Sequence, residues 1–438
     1  MRHETVKSDL LIRRSLSEWN SIDLPEVTLN RRDWEFINNL NIGSAKLLIE
    51  ARPVGIRVTT RSWIGVVRLN SLEIRVEPKL AGDHIRVVEM LELTSGLDLL
   101  SRYANHHQLK TGADNLFDLI ATLLVTESER LLAGGLLSDY KDNESAIPFV
   151  RGRILASEQV LKRFGQIDQI HCSFDERTED IAENRVIAAA LSICRRLVKA
   201  PGLKQRIHRC LSGFLEYCTP SSDDRLKSFT SLNYDRLNSH YKTAHELSDL
   251  VFTNYHVEEF SANGDSKVFS FLLDMNKLFE KFIEKLLEHL CRQQDLRPSF
   301  QKRNASVICD ADTGQSFAEI RPDVLLKSLT TGIAVPVDTK YKRLDDTKVN
   351  NGDIYQLFFY ASAFGKPTQP KRAFIFYPAS TVAGKFQRIK IRCNDNSSAI
   401  ITLVGTHIPT VISEMRSRSP ECCLLQLKTV LQASSMEG

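Results

Sequence analysis

The chain has 438 residues, which at roughly 100–200 residues per domain allows about two to four domains. Hydrophobic residues make up 42% and charged residues 26% of it; this composition excludes disorder of the whole chain, and no apolar stretch reaches the roughly 18 to 20 residues of a membrane span. The net charge of +4 is too small to indicate a class of partner.

Residues 1–110 are predicted to form a strand-rich domain. Residues 1–10 are charged and lack the apolar segment of a secretory signal, so we expect a cytoplasmic protein. Residues 65–69 and 72–77 flank a two-residue turn, and the second segment alternates apolar and charged side chains. This period of two predicts a β-hairpin with one buried and one solvated face.

Residues 111–255 are predicted to form a helical middle region. From about Asp114, apolar side chains recur at spacings of three and four until the glycine pair Gly134 and Gly135, which indicates a helix and its end. Further helical segments are predicted over residues 180–199, 203–218 and 235–251.

Residues 256–438 are predicted to begin with a long helix and to continue as short strands. A wide apolar stripe predicts the helix from about Val268 to Cys291. Short runs of β-type residues follow at 322–327, 333–340, 372–377, 387–393 and 400–404, and one helix is predicted near 353–364. The fold class predicted for the chain is therefore multidomain α+β, with an α/β or α+β last third.

Two acidic residues stand in the first predicted hairpin of the last third. Residues 320–326 and 333–342 are apolar segments joined by a polar turn that contains glycine. If that turn closes a hairpin, Asp323 and Asp338 lie opposite one another, roughly 4.5–5.5 Å apart at Cα. Side chains repeat every second residue along a strand, so Lys340 points to the same face as Asp338.

Two carboxylates at one point repel each other, and each resists ionisation unless a cation neutralises them. Mg²⁺ suits such a pair, because it takes oxygen ligands and retains several waters. A bound water could then attack phosphorus while Lys340 orients it or stabilises the developing charge, which indicates phosphodiester hydrolysis. The alternative is that Asp323 caps a turn and Asp338 pairs with Lys340 or Lys342 on a surface strand.

Two pairs of polar residues with helical spacing accompany the hairpin. Asn276 and Glu280 lie four residues apart and off the apolar stripe, so Glu280 can supply a further acid; a solvated charge is the alternative. Gln356 and Tyr360 share a helix face, where an amide and a phenol can bond substrate or backbone oxygen. Ordinary packing is the alternative for this second pair.

Positive charge follows the acidic residues. No Asp or Glu occurs between Ile354 and Cys393. The basic residues for which we predict DNA contact are Lys342, Lys366, Lys371, Arg372, Lys385, Arg388 and Lys390, with Arg392 beside them. A strip of one sign of charge favours polyanion binding, and a solvated basic face is the alternative.

The order of these motifs resembles the PD-(D/E)XK nuclease superfamily. The wider sequence is similar to McrC, the family of nuclease subunits in modification-dependent McrBC restriction systems. The similarity rests on the segments Trp63–Val67, Ile74–Lys79, Val150–Arg153, Glu183–Arg185, Asp274–Glu280, Arg321–Asp323 and Val337–Lys342. The catalytic block is its specific part, and it implies a restriction-endonuclease-like α/β domain over residues 256–438.

The resemblance implies a role for each matching residue. The implied set is Asp323 and Asp338 as Mg²⁺ ligands, Glu280 as the helix acid and a further ligand, Lys340 as the catalytic lysine, and Gln356 with Tyr360 as an accessory pair. Asp338 stands where other members of the superfamily have Glu, so this ligand has a shorter reach. The implied activity is Mg²⁺-dependent endonuclease cleavage of DNA that carries a 5-methylcytosine-type modification.

The resemblance also implies a partner. In this family a separate AAA+ GTPase hexamer, McrB, recognises methylated DNA and translocates, and the N-terminal region, here residues 1–110, docks on it and stimulates nucleotide hydrolysis. This chain has no GxxxxGK[ST] phosphate loop, so the motor must be another polypeptide. Arg151 and Arg153 are candidates for that contact or for DNA binding, with a structural arginine pair as the alternative.

Two other functions stay open at this point. A non-catalytic adaptor would couple an AAA+ ring to DNA, and its acidic cluster would be structural. An iron–sulfur exonuclease of the same superfamily also uses a QxxxY helix. The cysteines disfavour the exonuclease, because Cys393, Cys422 and Cys423 are poorly spaced for one cluster.

Overall fold

The computed structural model describes most of the chain. The described residues are 11–97, 100, 115–165, 168–221, 232–259, 267–292, 295–301, 303–342, 344, 349–365, 371–382, 386–392, 398–417 and 422–436. The chain divides into two compact units, Met1–His106 with His256–Gly438 and, separately, His107–Tyr255. None of the helices in these ranges is long and apolar enough to cross a membrane.

Strands dominate the N-terminal part of the first unit. They are β1 (Ile12–Ser17), β2 (Ser21–Leu24), β3 (Leu47–Ala51), β4 (Ile56–Thr60), β5 (Trp63–Arg68) and β6 (Leu72–Glu77), and the helices are α1 (Arg31–Leu40) and α2 (His84–Ser95). β2, β4 and β3 form an antiparallel sheet in that order. β5 and β6 pair as the predicted hairpin, with Gly65 opposite Val76.

The second unit contains the helices predicted for the middle region. They are α3 (Leu116–Gly134), α4 (Ala156–Arg163), α5 (Ala182–Leu197), α6 (Pro201–Leu215) and α7 (Lys242–Asn254). Most apolar side chains of α3, α5, α6 and α7 are buried, whereas α4 buries none of its residues. The core of this unit is therefore helical.

The second unit also contains a sheet, and here the prediction of a helical region is incomplete. β7 (Asp139–Ile147), β8 (Arg153–Ile154) and β9 (Ile170–Thr178) form an antiparallel sheet with β9 in the middle. β7 has the sequence DYKDNESAI, and most of its side chains are exposed. A strand without a buried face has no apolar alternation, so the sequence pattern gives no signal for it.

The C-terminal part of the first unit alternates strands and helices. The strands are β10 (Tyr255–Glu259), β11 (Lys267–Asp274), β12 (Leu296–Phe300), β13 (Asn304–Cys309), β14 (Ser316–Ile320), β15 (Val324–Ser328), β16 (Ala334–Thr339), β17 (Lys371–Pro378), β18 (Phe386–Arg392) and β19 (Ser398–Thr406). The helices are α8 (Met275–Cys291), α9 (Asn351–Phe364), α10 (Ile408–Arg416) and α11 (Cys422–Met436).

A six-stranded sheet of order β12-β15-β16-β17-β19-β18 forms the centre of this part. β12, β15 and β16 pair antiparallel, β16, β17 and β19 pair parallel, and β18 is an antiparallel edge strand. Helix α9 connects β16 to β17, and its Leu357 and Ala361 share a core cluster with Ile375, Tyr377 and Leu403. The short strands and the helix predicted for the last third are confirmed.

A five-stranded sheet of order β1-β6-β5-β11-β10 joins strands of the N-terminal part to the strands of residues 255–274. The predicted start of the long helix at Val268 is wrong, because residues 267–274 form β11, antiparallel to β5. The helix begins at Met275, where Asp274 caps it by accepting a 3.0 Å hydrogen bond from the backbone N–H of Asn276. A short apolar run that is buried on both faces has no period that separates strand from helix.

Residues 1–110 and 256–438 are predicted to be separate functional domains, yet both contribute strands to this sheet. The division into a docking region and a nuclease region therefore does not coincide with the division into compact units. As a statement about function, it stays a prediction.

The pairing of β11 with β5 depends on Gly65. Its φ is +135°, and a Cβ there would lie 2.0 Å from the Phe271 carbonyl oxygen. We expect Gly65→Ala to destabilise the protein by about 3 kcal/mol or more, because the two strands must move apart to make room for the Cβ and the alanine must adopt a strained φ. Chemical denaturation measures this cost.

Gly96 is the matched control. It also has a positive φ, +70°, but a Cβ at this position would meet nothing within 4 Å. Gly96→Ala should cost only the strain of a left-handed residue, about 1 kcal/mol. Equal costs for the two variants would contradict the close approach of β5 and β11.

Candidate active site

The hairpin of β15 and β16 brings the two predicted aspartates together. Val324 pairs with Val337. Asp323 immediately precedes Val324 and Asp338 immediately follows Val337, so the register places both carboxylates at the same end of the hairpin, on facing strands. The arrangement agrees with the alignment that the sequence pattern predicts.

Asp338 forms a buried ion pair with Lys340. The Asp338 side chain is 3% exposed, and its Oδ2 lies 2.7 Å from Lys340 Nζ. Within the described ranges Oδ2 has no hydrogen bond of good geometry, so the contact with Lys340 is chiefly one of charge. Burial raises the pKa of Asp338 to about 6; Lys340 opposes that rise and Asp323 adds to it.

Lys340 has a second acidic neighbour that the sequence pattern did not predict. Asp353 lies in the first turn of α9, and its Oδ1 is 3.9 Å from Lys340 Nζ. Burial alone would lower the pKa of Lys340, but Asp338 and Asp353 outweigh it and the pKa is raised. Lys340 is therefore held as an ammonium. Only the spacing of Asp353 and Gln356, one helical turn apart, could have indicated this residue.

Asp323 accepts two hydrogen bonds from the residue after Asp338. Its Oδ2 accepts from the backbone N–H of Thr339 at 2.7 Å and from the Thr339 hydroxyl at 2.8 Å. Of the alternative interpretation, the pair of Asp338 with Lys340 is therefore present. Asp323, however, bonds across the hairpin to Thr339 and does not cap a turn, and β16 is a buried strand, not a surface strand.

Glu280 of α8 belongs to the same electrostatic cluster. Its Oε1 accepts a 2.7 Å hydrogen bond from Gln301 Nε2. Burial raises its pKa; the bond from Gln301 opposes the rise and Asp323 adds to it. Gln301 was not predicted, although its backbone N–H also donates to the Asp323 carbonyl at 2.9 Å and its φ is +44°. Unusual backbone at such a point is typical of functional sites.

The predicted accessory pair on α9 forms. Gln356 Nε2 donates to the Tyr360 hydroxyl at 3.1 Å, and that hydroxyl donates to the Arg321 carbonyl at 3.5 Å. Arg321 is two residues before Asp323. The pair therefore fastens α9 to the segment that presents the first aspartate, while the Gln356 side chain stays exposed.

The donors present suit a hard cation better than a transition metal. No group of three His, Cys, Asp or Glu side chains in the described part of the chain is close enough to hold a metal ion. A metal between Asp323 and Asp338 would have two carboxylate ligands from the chain, and water or phosphate would supply the rest, as Mg²⁺ tolerates. Glu280, predicted as a further ligand, accepts a hydrogen bond from Gln301 through Oε1, and its role as a ligand stays a prediction.

Of the predicted basic residues that the structure describes, Lys342 alone is close in sequence to this acidic cluster; it is exposed and two residues beyond Lys340. Lys371 and Arg372 begin β17, whereas Lys340 follows β16 at the other end of the parallel pair. Arg388 and Lys390 lie on β18, separated from β16 by two strands. Lys366 and Lys385 lie outside the described residues.

The sheet register also separates β18 from Asp338 by face. Asp338 is in register with Ile375, Leu403 and Gln387, so side chains in this row share a face. Arg388 and Lys390 alternate with Gln387 and therefore project from the opposite face. DNA contact by the basic residues of β17 and β18 stays a prediction, at a distance from the aspartates.

Comparisons with known proteins agree with these motifs. Residues 58–378 match the family described as "McrBC 5-methylcytosine restriction system component". The chain is 24% identical over 327 residues to the type IV methyl-directed restriction enzyme EcoKMcrBC of Escherichia coli (strain K12), a match that covers 69% of this chain and 87% of the relative.

The fold is also similar to that of a chain in a solved assembly. The structure is a refined half-complex from a tetradecameric assembly of Thermococcus gammatolerans McrB AAA+ hexamers with bound McrC. The TM-score is 0.67 at 16% identity, with 96% of this chain and 100% of that chain covered. At this identity the similarity concerns the fold.

The raised pKa of Asp338 predicts a pH-dependent gain from removing its charge. The folded protein binds more protons than the unfolded chain between about pH 4 and pH 6, so this group lowers stability as pH rises through that window. We expect Asp338→Asn to stabilise the protein by on the order of 1–2 kcal/mol at pH 7.5 and by much less at pH 4.5.

Chemical denaturation at the two pH values measures this difference. Asp312→Asn is the control, because Asp312 is exposed and its substitution should leave stability unchanged at both pH values. If the stability gained by Asp338→Asn does not grow with pH, the result would contradict a buried carboxylate whose pKa is raised.

Proposed function

The chain belongs to the McrBC family of 5-methylcytosine restriction system components, and we propose that it is the subunit of such a system that cleaves DNA. The observation that carries the proposal is the buried ion pair of Asp338 and Lys340, placed by strand register beside Asp323. Two carboxylates can hold Mg²⁺ and an ammonium can stabilise charge on a phosphate, so these groups at one strand end suit Mg²⁺-dependent phosphodiester hydrolysis.

The charge of the cluster supports a divalent cation. The carboxylates that act on Lys340 are those of Asp323, Asp338 and Asp353, so these four groups leave two negative charges in excess when all are ionised. Asp323 and Asp338 would hold Mg²⁺ between them, and the ion would offset their repulsion and polarise the scissile phosphate. The buried Oδ2 of Asp338, whose neighbour in the described residues is the Lys340 ammonium, is an oxygen ligand suited to such an ion.

Lys340 acts in this proposal as a fixed positive charge. Its raised pKa keeps it protonated at neutral pH, so it stabilises negative charge that develops on the phosphate and does not accept a proton. Asp353 gives the ammonium a second anchor, which keeps it at the strand end when Asp338 has another partner.

The residues around the cluster position it. Gln301 bonds both Glu280 and the backbone of Asp323, and thereby fixes the helix acid relative to the first aspartate. The hydroxyl of Tyr360 holds the carbonyl of Arg321. With these contacts, the helices on which Glu280 and Tyr360 lie are tied to the same short segment before β15.

A partner is part of the proposal. The similar fold occurs as McrC bound to McrB AAA+ hexamers, and this chain contains no phosphate-binding loop of its own. We therefore place this chain on an McrB-like AAA+ GTPase that selects modified DNA, with residues 1–110 as the docking region. Cleavage is expected only in that complex.

The central test removes the ammonium or the buried carboxylate. We expect Lys340→Ala and Asp338→Ala each to lower nicking of a methylated plasmid at least about 100-fold in the reconstituted complex, because charge stabilisation in the transition state is lost. Nicking with Mg²⁺ and GTP, measured beside size-exclusion chromatography of the complex, separates catalysis from assembly.

Lys327 is the matched control, because it is an exposed lysine at the other end of the same hairpin, opposite Ala334. Lys327→Ala should nick DNA at the normal rate. If Lys340→Ala and Asp338→Ala also cleave normally, the chain is not the nuclease. The remaining function would then be that of an adaptor between the AAA+ ring and DNA.

The edge strand β18 generates a second prediction. Lys390 and Arg392 are exposed and project from the same side of that strand. If they bind DNA phosphates, the double variant Lys390→Gln/Arg392→Gln should bind DNA more weakly and reduce the salt dependence of log K by about 1 for each phosphate that is no longer neutralised. Fluorescence anisotropy of the complex at several salt concentrations measures both; unchanged binding would indicate a solvated basic face.

A further inference from the structure

A buried carboxylate that the proposed chemistry does not use lies where the N-terminal strands meet the catalytic strand. Glu18 directly follows β1 and is fully buried. Its backbone N–H donates to the Glu77 carbonyl at 3.1 Å, which continues the pairing of β1 with β6. We call Glu18 and its hydrogen-bond donors Lys79, Leu80 and Tyr341 the Glu18 junction.

One oxygen of Glu18 accepts all the hydrogen bonds of the junction. Oε2 accepts from the backbone N–H groups of Lys79 at 2.8 Å and Leu80 at 3.2 Å, and from the Tyr341 hydroxyl at 3.1 Å. Oε1 is buried and has no hydrogen bond within the described part of the chain. Burial of Glu18 raises its pKa to about 7, and the three donors and the charge of Lys79 oppose that rise.

Tyr341 connects this junction to the candidate active site in two ways. Its backbone directly follows Lys340, whose N–H donates to the Phe376 carbonyl at 2.9 Å. Its ring, 2% exposed, packs against Phe279 with ring centroids 5.6 Å apart. Phe279 precedes Glu280. Tyr341 is therefore the sequence neighbour of Lys340, and its ring contacts the sequence neighbour of Glu280.

These contacts determine where the Tyr341 ring sits. The ring is held on one side by Phe279 and at its hydroxyl by Glu18, while its main chain leaves β16 beside Lys340. The backbone of Ala81 also bonds the hydroxyl. If the hydroxyl is removed, both hydrogen bonds are lost, only packing holds the ring, and the strand end that carries Lys340 loses a fixed point. A displacement of about 1 Å at a reacting group can cost on the order of a hundredfold in rate.

We infer that Glu18 and Tyr341 are positioning residues for the candidate active site, and that the Glu18 junction fixes Lys340 and Glu280 relative to one another. This inference rests on the proposed nuclease function. It adds that Glu18, which directly follows β1 and lies 323 positions from Tyr341 in sequence, sets the geometry of catalysis.

The test compares variants that keep or remove the acceptor. Tyr341→Phe removes only the hydroxyl, and we expect kcat for plasmid nicking at saturating DNA and Mg²⁺ to fall about tenfold or more, with KM for DNA unchanged. Glu18→Leu should give the same loss. Glu18→Gln retains a carbonyl oxygen that accepts the same hydrogen bonds, so it should keep most of the wild-type kcat.

Tyr241→Phe is the matched control for stability. Tyr241 is also a fully buried tyrosine, and its hydroxyl accepts from the Leu137 N–H and donates to Asn184, both at 2.9 Å and both in the second unit. This variant should lose stability with little change of kcat per folded molecule. If Tyr341→Phe behaves in the same way, its hydroxyl is merely structural and the inference is overturned.

Amide hydrogen exchange supplies a readout that does not need cleavage. We expect Tyr341→Phe to speed exchange at Lys340 and Lys342, whose N–H groups are hydrogen bonded at the strand end. If Tyr341→Phe changes neither exchange nor kcat, the inference is overturned. Cleavage by the wild-type complex would still support the proposed function. If Tyr341→Phe speeds exchange but the wild-type complex never cleaves DNA, the nuclease function is overturned and the positioning contact is supported.

Discussion

The removal of Asp338 from water is the constraint on which the candidate active site depends. A carboxylate at the end of a buried strand ionises only where positive charge replaces its lost hydration, and burial raises the pKa of Asp338 to about 6. Lys340 replaces part of that hydration at 2.7 Å, but Asp323 and Asp353 add negative charge around the pair. The strand end thus carries more acidic than basic groups, and this imbalance links a stability cost to the cation binding that we propose.

The part of the site that the sequence predicts is the part encoded by local spacing. Asp323 and Asp338 meet because two apolar strands are joined by a short turn, and Lys340 lies beside Asp338 because strand side chains repeat every second residue. Gln356 and Tyr360 meet because helical neighbours are four residues apart. These positions could be predicted from the regular repeat of side chains along a strand and along a helix.

The sequence does not predict contacts between distant segments, or the structure of segments whose residue pattern suits both helix and strand or neither. Gln301 reaches Glu280 across 21 positions, and no motif distinguishes that glutamine from other surface amides. Residues 268–273 are apolar without interruption except for Ser270, so the same run suits a buried helix or a buried strand, and only its pairing with β5 decides. The sheet of the second unit escaped prediction for the opposite reason, since β7 is too polar to show a pattern.

The five-stranded sheet of β1, β6, β5, β11 and β10, which we call the N-terminal sheet, has two direct connections to the candidate active site. β11 pairs with β5 and then continues without a loop into α8, so the position of Glu280 follows the position of that sheet. The second connection is the hydrogen bond of Glu18 to Tyr341. A partner that displaces the N-terminal sheet would therefore move Glu280 and the strand end that carries Lys340 together, because α8 and β16 are fastened to the same sheet at two points. On the proposed function, such a coupling gives a partner bound to residues 1–110 a physical means of acting on cleavage, with no need to contact the aspartates.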